Sequence, residues 1–69
     1  MEEIVLKDEY IKLGQALKAA GLVSSGVEAK IFIQEGKVSV NGEVEYQRGK
    51  KLYDKDKFTF NGETVIILK

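Results

Sequence analysis

Residues 24–42 read SSGVEAKIFIQEGKVSVNG: a loop, a short helix, a glycine stop, a strand and the opening of a tight hairpin. Ser24-Ser25-Gly26 offers a hydroxyl to receive the unpaired N–H groups of a helix that starts there. Gly36 stops that helix after about Glu35. On a helical wheel Ala29, Phe32, Ile33 and Gly36 share one face, and Val27 and Ile31 lie nearly opposite. The pattern predicts a helix covered on two sides, by a sheet and by a second helix. Lys30, Gln34 and Lys37 line one remaining flank, and Glu28 and Glu35 line the other. Beyond the stop, Lys37 to Asn41 alternates, with Val38 and Val40 inward and Ser39 outward. Asn41-Gly42 then signals a hairpin, because both central positions of a type I′ turn need positive φ.

The flanking segments supply what that unit packs against. Upstream, Ile4-Val5-Leu6 reads as a strand, and Leu13, Ala16, Leu17 and Ala20 recur at the spacing of one buried helical face. Gly21 stops this first helix. Its start is open between a cap at Asp8 and a beginning near Leu13. Lys12, Gln15 and Lys18 fall outside its buried face. Downstream, Val44 and Tyr46 return along the hairpin, and Tyr46 to Lys55 reads as an irregular connection with a basic centre. Phe58-Thr59-Phe60 and Thr64 to Leu68 form a second hairpin about Asn61-Gly62. The last strand is nearly continuous apolar, so it sits centrally or is covered, and the first strand is expected to pair with it. The expected order is β-αα-ββ-ββ: an α+β fold with two helices on a small antiparallel sheet, one domain spanning 1–69.

Composition narrows the function. The chain has 69 residues and neither cysteine nor histidine, which removes disulfides, thiolate chemistry and the usual zinc frameworks. No apolar run approaches the roughly 20 residues that cross a bilayer, and the acidic start is unlike a signal peptide, so a cytoplasmic protein with no membrane partner is expected. Eleven acids balance eleven bases, yet they are segregated along the chain. Glu2, Glu3, Asp8 and Glu9 face a single Lys7 in the first eleven residues, while Arg48, Lys50 and Lys51 stand together without an acid.

Asp54 and Asp56 are close enough in sequence to be imagined as an acid/base or metal pair, but they read first as a polar turn before a strand. Gly14, Gly21 and Gly26 are too widely spaced for a phosphate-cradling loop. No enzyme, cofactor or metal is expected. Nucleic-acid binding asks for cations that meet phosphates and for planar groups near them. The Lys30, Gln34 and Lys37 flank and the Arg48–Lys51 cluster supply the first, and the helix N-terminus at the Ser24–Gly26 loop offers unpaired backbone N–H groups to a phosphate; Tyr46 and Tyr53, at the ends of the basic loop, supply the second. The alternative, that these cations are solvated surface and the tyrosines half-buried core, stays open on the residues alone.

The frame Leu13, Leu17, Gly21, then Ala29, Ile33, Gly36, Val38, Val40, Asn41 and Gly42 resembles the S-four RNA-binding domain, or αL RNA-binding motif. Arg48-Gly49-Lys50-Lys51-Leu52 and Asp56 look like its short, stand-alone, YaaA-like members. The resemblance implies non-enzymatic binding of structured RNA (ribosomal RNA, tRNA or a stem-loop), with a ribosome or a protein as a further partner and the domain acting as a monomer. It implies an RNA-facing set of Ser24, Ser25, Gly26, Lys30, Gln34, Lys37, Arg48, Lys50 and Lys51. Many family members carry arginines where this chain has Ser25 or Gly26 and Lys12, which implies modest, salt-sensitive binding. The rival reading is a protein-interaction module that keeps the fold without RNA, using the acidic first strand or the Glu28 and Glu35 flank.

Overall fold

Both Asn-Gly pairs turn the chain as a type I′ hairpin requires: Asn41 and Gly42 have φ of 50° and 88°, Asn61 and Gly62 of 53° and 79°. The computed structural model describes residues 1–69. Seven strands and two helices follow one another as β1 (Glu2–Val5), β2 (Ile11–Lys12), α1 (Leu13–Ala19), α2 (Gly26–Gln34), β3 (Val38–Val40), β4 (Glu43–Val44), β5 (Lys51–Leu52), β6 (Lys57–Phe60) and β7 (Glu63–Leu68).

The main sheet runs β1-β7-β6-β3-β4. Its pairings are antiparallel except that β1 lies parallel to β7, with Glu2 opposite Val65 and Val5 opposite Leu68. The first strand therefore does pair with the last and leaves β7 inside the sheet, as its apolar run requires. Val40, Phe58 and Val65 line up across β3, β6 and β7 on the face that meets the helices. Leu13, Ala16 and Leu17 of α1, Ala29 and Ile33 of α2 and Leu52 of β5 close over them. All thirteen buried residues are apolar, so no buried polar group needs a partner.

Each helix ends on the glycine read as its stop. Gly21 and Gly36 have φ of 73° and 76°. Leu22 N–H donates to the Leu17 carbonyl and Lys37 N–H to that of Phe32, closing a Schellman motif at each end. Gly36 is constrained twice, because a Cβ there would stand 3.1 Å from Cε1 of Tyr46. Gly36→Ala is expected to cost about 1–2 kcal/mol from the left-handed backbone alone, plus a steric part from Tyr46. Urea unfolding of the single variant and of Gly36→Ala/Tyr46→Ala measures the two separately, and the double variant recovers only the steric part.

Two expectations are corrected, and one left open is decided. Helix α2 is covered on one side, not two: Val27 is 70% and Ile31 49% exposed, because α1 packs against the Ala29 and Ile33 side that also meets the sheet. The stretch from Tyr46 to Lys55 is not wholly irregular, since Lys51–Leu52 forms β5 and pairs antiparallel with β2, Ile11 opposite Leu52. Helix α1 begins at Leu13, so Asp8 does not cap it.

The carboxylates that read as an acid/base pair are engaged in turns. Asp56 accepts from the Tyr53 N–H at 2.8 Å and from the Asn41 side-chain amide at 3.1 Å, and Asp54 accepts from the Lys69 N–H at 2.9 Å. Asn41 also accepts from the Lys57 N–H at 3.0 Å, so it clamps the first hairpin to the start of β6. Asn41→Gly keeps the turn but removes both side-chain bonds, and the expected loss is about 1–2 kcal/mol in a denaturant titration. Lys69 donates to Glu9 at 2.7 Å, and that hydrogen bond holds its pKa above the ordinary 10.5. A raised folded-state pKa gives a contribution that is complete below the ordinary value and lost only as pH climbs through the raised one. It is therefore constant at neutral pH.

Candidate nucleic-acid interface

Helix α1 starts on Lys12, which supplies no side-chain cap, and its first turn carries no acid. Its leading N–H groups still need acceptors. The basic loop provides them: Leu13 N–H donates to the Lys50 carbonyl at 2.8 Å, and Gly14 N–H to the Arg48 carbonyl at 3.0 Å. The contact is close, since a Cβ at Gly14 would lie 3.5 Å from Cβ of Arg48. Main-chain capping thus pins a loop with two glycine-flanked cations onto the start of a helix that carries two more.

The result is a groove of about 350 Å³ lined by Lys12, Gly14, Gln15, Lys18, Gly26, Arg48 and Gly49. Neither an acid nor an apolar side chain lines it. Beside it, β2 and β5 place Lys12 directly opposite Lys51. Like charges opposed across two strands repel, so this pairing weakens the ribbon unless an anion bridges it. The two ion pairs of the protein are Lys37 with Glu35 and Lys69 with Glu9. Lys12, Lys18, Arg48, Lys50 and Lys51 hold no acid within ion-pair distance.

The residues predicted from the sequence divide. Arg48 and Gly26 line the groove, Lys51 stands opposite Lys12 in the adjoining ribbon, and Lys50 follows Gly49 on the capping loop. Lys30 is exposed one turn further along α2 on the Gly26 side, about 6 Å along the axis. Lys37 stands apart: it pairs with Glu35 at 3.3 Å, sits 5.5 Å over the Phe32 ring and lines a different hollow with Phe60 and Asn61. Gln34 is exposed near that end. Ser25 accepts from the Glu28 N–H at 3.2 Å, and the Glu28 carboxylate accepts from the Ser24 N–H at 3.0 Å. This resembles a capping box and already puts an anion at the N-terminus of α2, the place read as a phosphate receiver. Tyr46 lies against Gly36, and Tyr53 tilts against Tyr10 with ring centroids 5.9 Å apart.

Lys12, Gln15 and Lys18 were absent from the predicted set. Their i, i+3, i+6 spacing places them on one outer face of α1. That spacing marks a polar face; only the tertiary cap by the Arg48 and Lys50 carbonyls turns it into one wall of a groove.

The family model of the S4 domain matches residues 4–68. The chain belongs to the S4 domain family. Among curated relatives, a probable ribosome maturation protein of Bacillus subtilis, RlbA, is 44% identical over 59 residues, covering 86% of this chain and 83% of that one. A putative RNA-binding protein of Escherichia coli, YbcJ, is 36% identical over 62 residues, covering 90% and 89%. The solution structure of E. coli YbcJ, described as revealing an αL motif involved in RNA binding, superposes with a TM-score of 0.76. It is 34% identical and covers 100% of this chain and 89% of its own. This S4 domain thus has the αL fold, two helices on a largely antiparallel sheet.

Proposed function

We propose that this protein binds structured RNA (ribosomal RNA, tRNA or a stem-loop) without catalysing a reaction on it, acting as a single monomeric domain over 1–69. The observation that carries the reading is the acid-free groove lined by Lys12, Lys18 and Arg48, with Lys51 opposite Lys12 and Lys50 on the same loop; none of the five is ion-paired within the protein. Lys12, Lys18, Arg48, Lys50 and Lys51 neutralise phosphates, Gln15 hydrogen-bonds to sugar or phosphate, and Lys30 and the Ser24–Gly26 loop border the contact. Recognition of this kind reads backbone shape, as expected for duplex RNA whose deep groove excludes side chains. The names of relatives in B. subtilis and E. coli, a probable ribosome maturation protein and a putative RNA-binding protein, support RNA binding in general, and the first makes ribosomal RNA the first target to test.

Filter binding to purified ribosomal RNA, tRNA and an RNA stem-loop tests this. The wild type is retained on at least one of them, and Lys12→Glu/Arg48→Glu abolishes retention. Lys37→Glu leaves it intact, because Lys37 lies beyond the far end of α2, which runs about 12 Å from Gly26 to Gln34, and is ion-paired. Equal binding by all three proteins would contradict the reading.

A second reading, a protein-interaction surface, is favoured by Val27 and Ile31, exposed one turn apart on α2 beside Glu28 and Glu35. A partner on that ridge survives Lys12→Glu/Arg48→Glu and is lost in Val27→Asp/Ile31→Asp.

A further inference from the structure

The β2–β5 ribbon has two faces. Ile11 and Leu52 turn into the core, while Tyr10, Lys12, Lys51 and Tyr53 are all exposed. Side chains alternate along a strand, so Tyr10 shares a face with Lys12, and Lys51 shares one with Tyr53; the register puts both pairs on the same side. The outer face is therefore two lysines beside two tyrosines. Tyr10 and Tyr53 meet with rings tilted by 53°, and Lys51 Nζ lies 4.8 Å from the Tyr10 ring centre. The main chain at Tyr53 is held as well: the Tyr53 N–H donates to the Asp56 carboxylate, and the Asp56 N–H donates back to the Tyr53 carbonyl. Tyr10 is 37% and Tyr53 44% exposed, so each keeps surface that nothing in the protein covers.

Charge orders this face. At one end Lys12 is shared with the phosphate groove. Beyond the tyrosines the sequence turns acidic, with Asp8 and Glu9 before Tyr10 and Asp54 and Asp56 after Tyr53. A nucleic-acid strand leaving the groove meets two cations and then two aromatic rings.

We propose that the Tyr10–Tyr53 face is a nucleobase-stacking site that takes one unpaired base adjoining an RNA duplex, with its phosphate between Lys12 and Lys51. The proposal rests on the RNA-binding reading above and names the RNA it prefers: a stem carrying a single-stranded flank, not an uninterrupted duplex. Stacking on tyrosine is tolerant of base identity, so the site selects unpaired structure ahead of sequence.

The test compares one RNA stem bearing either a two-nucleotide tail or the same tail made abasic, with the tail placed on the 5′ or the 3′ side. Both forms carry the same phosphates, so only the base differs. The wild type is expected to bind the tail with bases about 5- to 150-fold more tightly on one of the two sides, the range for one stacked base. Tyr53→Ala and Tyr10→Ala lose that preference and keep the salt dependence, while Tyr53→Phe, which retains the ring, keeps most of it. Equal affinity for base-bearing and abasic tails on both sides, with stem binding intact, would overturn the stacking site and leave the RNA-binding reading standing. Preference retained in both alanine variants would also overturn it. A wild type that binds no form of the stem overturns both.

Discussion

Replacing Lys12, Arg48 and Lys51 together by alanine is expected to lower the affinity for duplex RNA roughly 10²- to 10³-fold at about 0.1 M salt. Each lost phosphate contact gives up about 0.9 of a released counterion, so three remove close to a factor of 500, and the log–log salt slope becomes shallower by about 2.7. The fold should survive. None of the three side chains is buried or ion-paired, and the loop caps α1 through the Arg48 and Lys50 main-chain carbonyls, which alanine retains. The circular dichroism spectrum and the urea midpoint are the controls. A variant that folds as the wild type and binds within threefold of it would show that the groove is not the contact surface.

The largest stability effect is expected at Phe58. It is fully buried on β6, between Val40 of β3 and Val65 of β7, in the row that faces both helices. Removing a buried phenylalanine ring costs about 3–5 kcal/mol, the lost transfer energy plus the cavity left behind. A domain of this length has roughly 3–10 kcal/mol in total, so Phe58→Ala should leave a largely unfolded or barely stable protein. Phe58→Leu, which fills most of the space, should keep the cooperative transition. A urea midpoint for Phe58→Ala close to that of the wild type would mean that the core is not closed over β6 as described.

The fold was legible where backbone chemistry is local. Asn41-Gly42 and Asn61-Gly62 can be read as type I′ turns because positive φ is demanded at both positions, and Gly21 and Gly36 as helix stops for the same reason. Alternation in Val38-Ser39-Val40 gave the buried face of β3 directly. Burial around α2 was misread because an apolar residue on a helix marks a face that wants a partner without showing that the protein provides one. Val27 and Ile31 are such residues. Strand β5 was missed because two residues have no period; what makes Lys51-Leu52 a strand is the β2 segment forty residues earlier.

The candidate site was half legible for a related reason. The Arg48–Lys51 cluster is contiguous, so its lack of acids can be seen in the sequence. Its neighbours Lys12, Gln15 and Lys18 reach it only because α1, lacking a side-chain cap, takes its acceptors from that loop. Lys37 shared a predicted flank with Lys30, yet a local pairing with Glu35 draws it to another hollow. Serving as the N-cap similarly commits Ser25 to the helix before any ligand arrives.

The central claim, that five unpaired cations form one phosphate-binding surface, is tested most directly by the salt dependence of wild-type binding to an RNA stem. Five phosphate contacts on a duplex predict a log–log slope of about −4 to −5, close to a 500-fold loss between about 50 and 200 mM salt. A slope shallower than about −1, or no binding at about 50 mM salt, would contradict it.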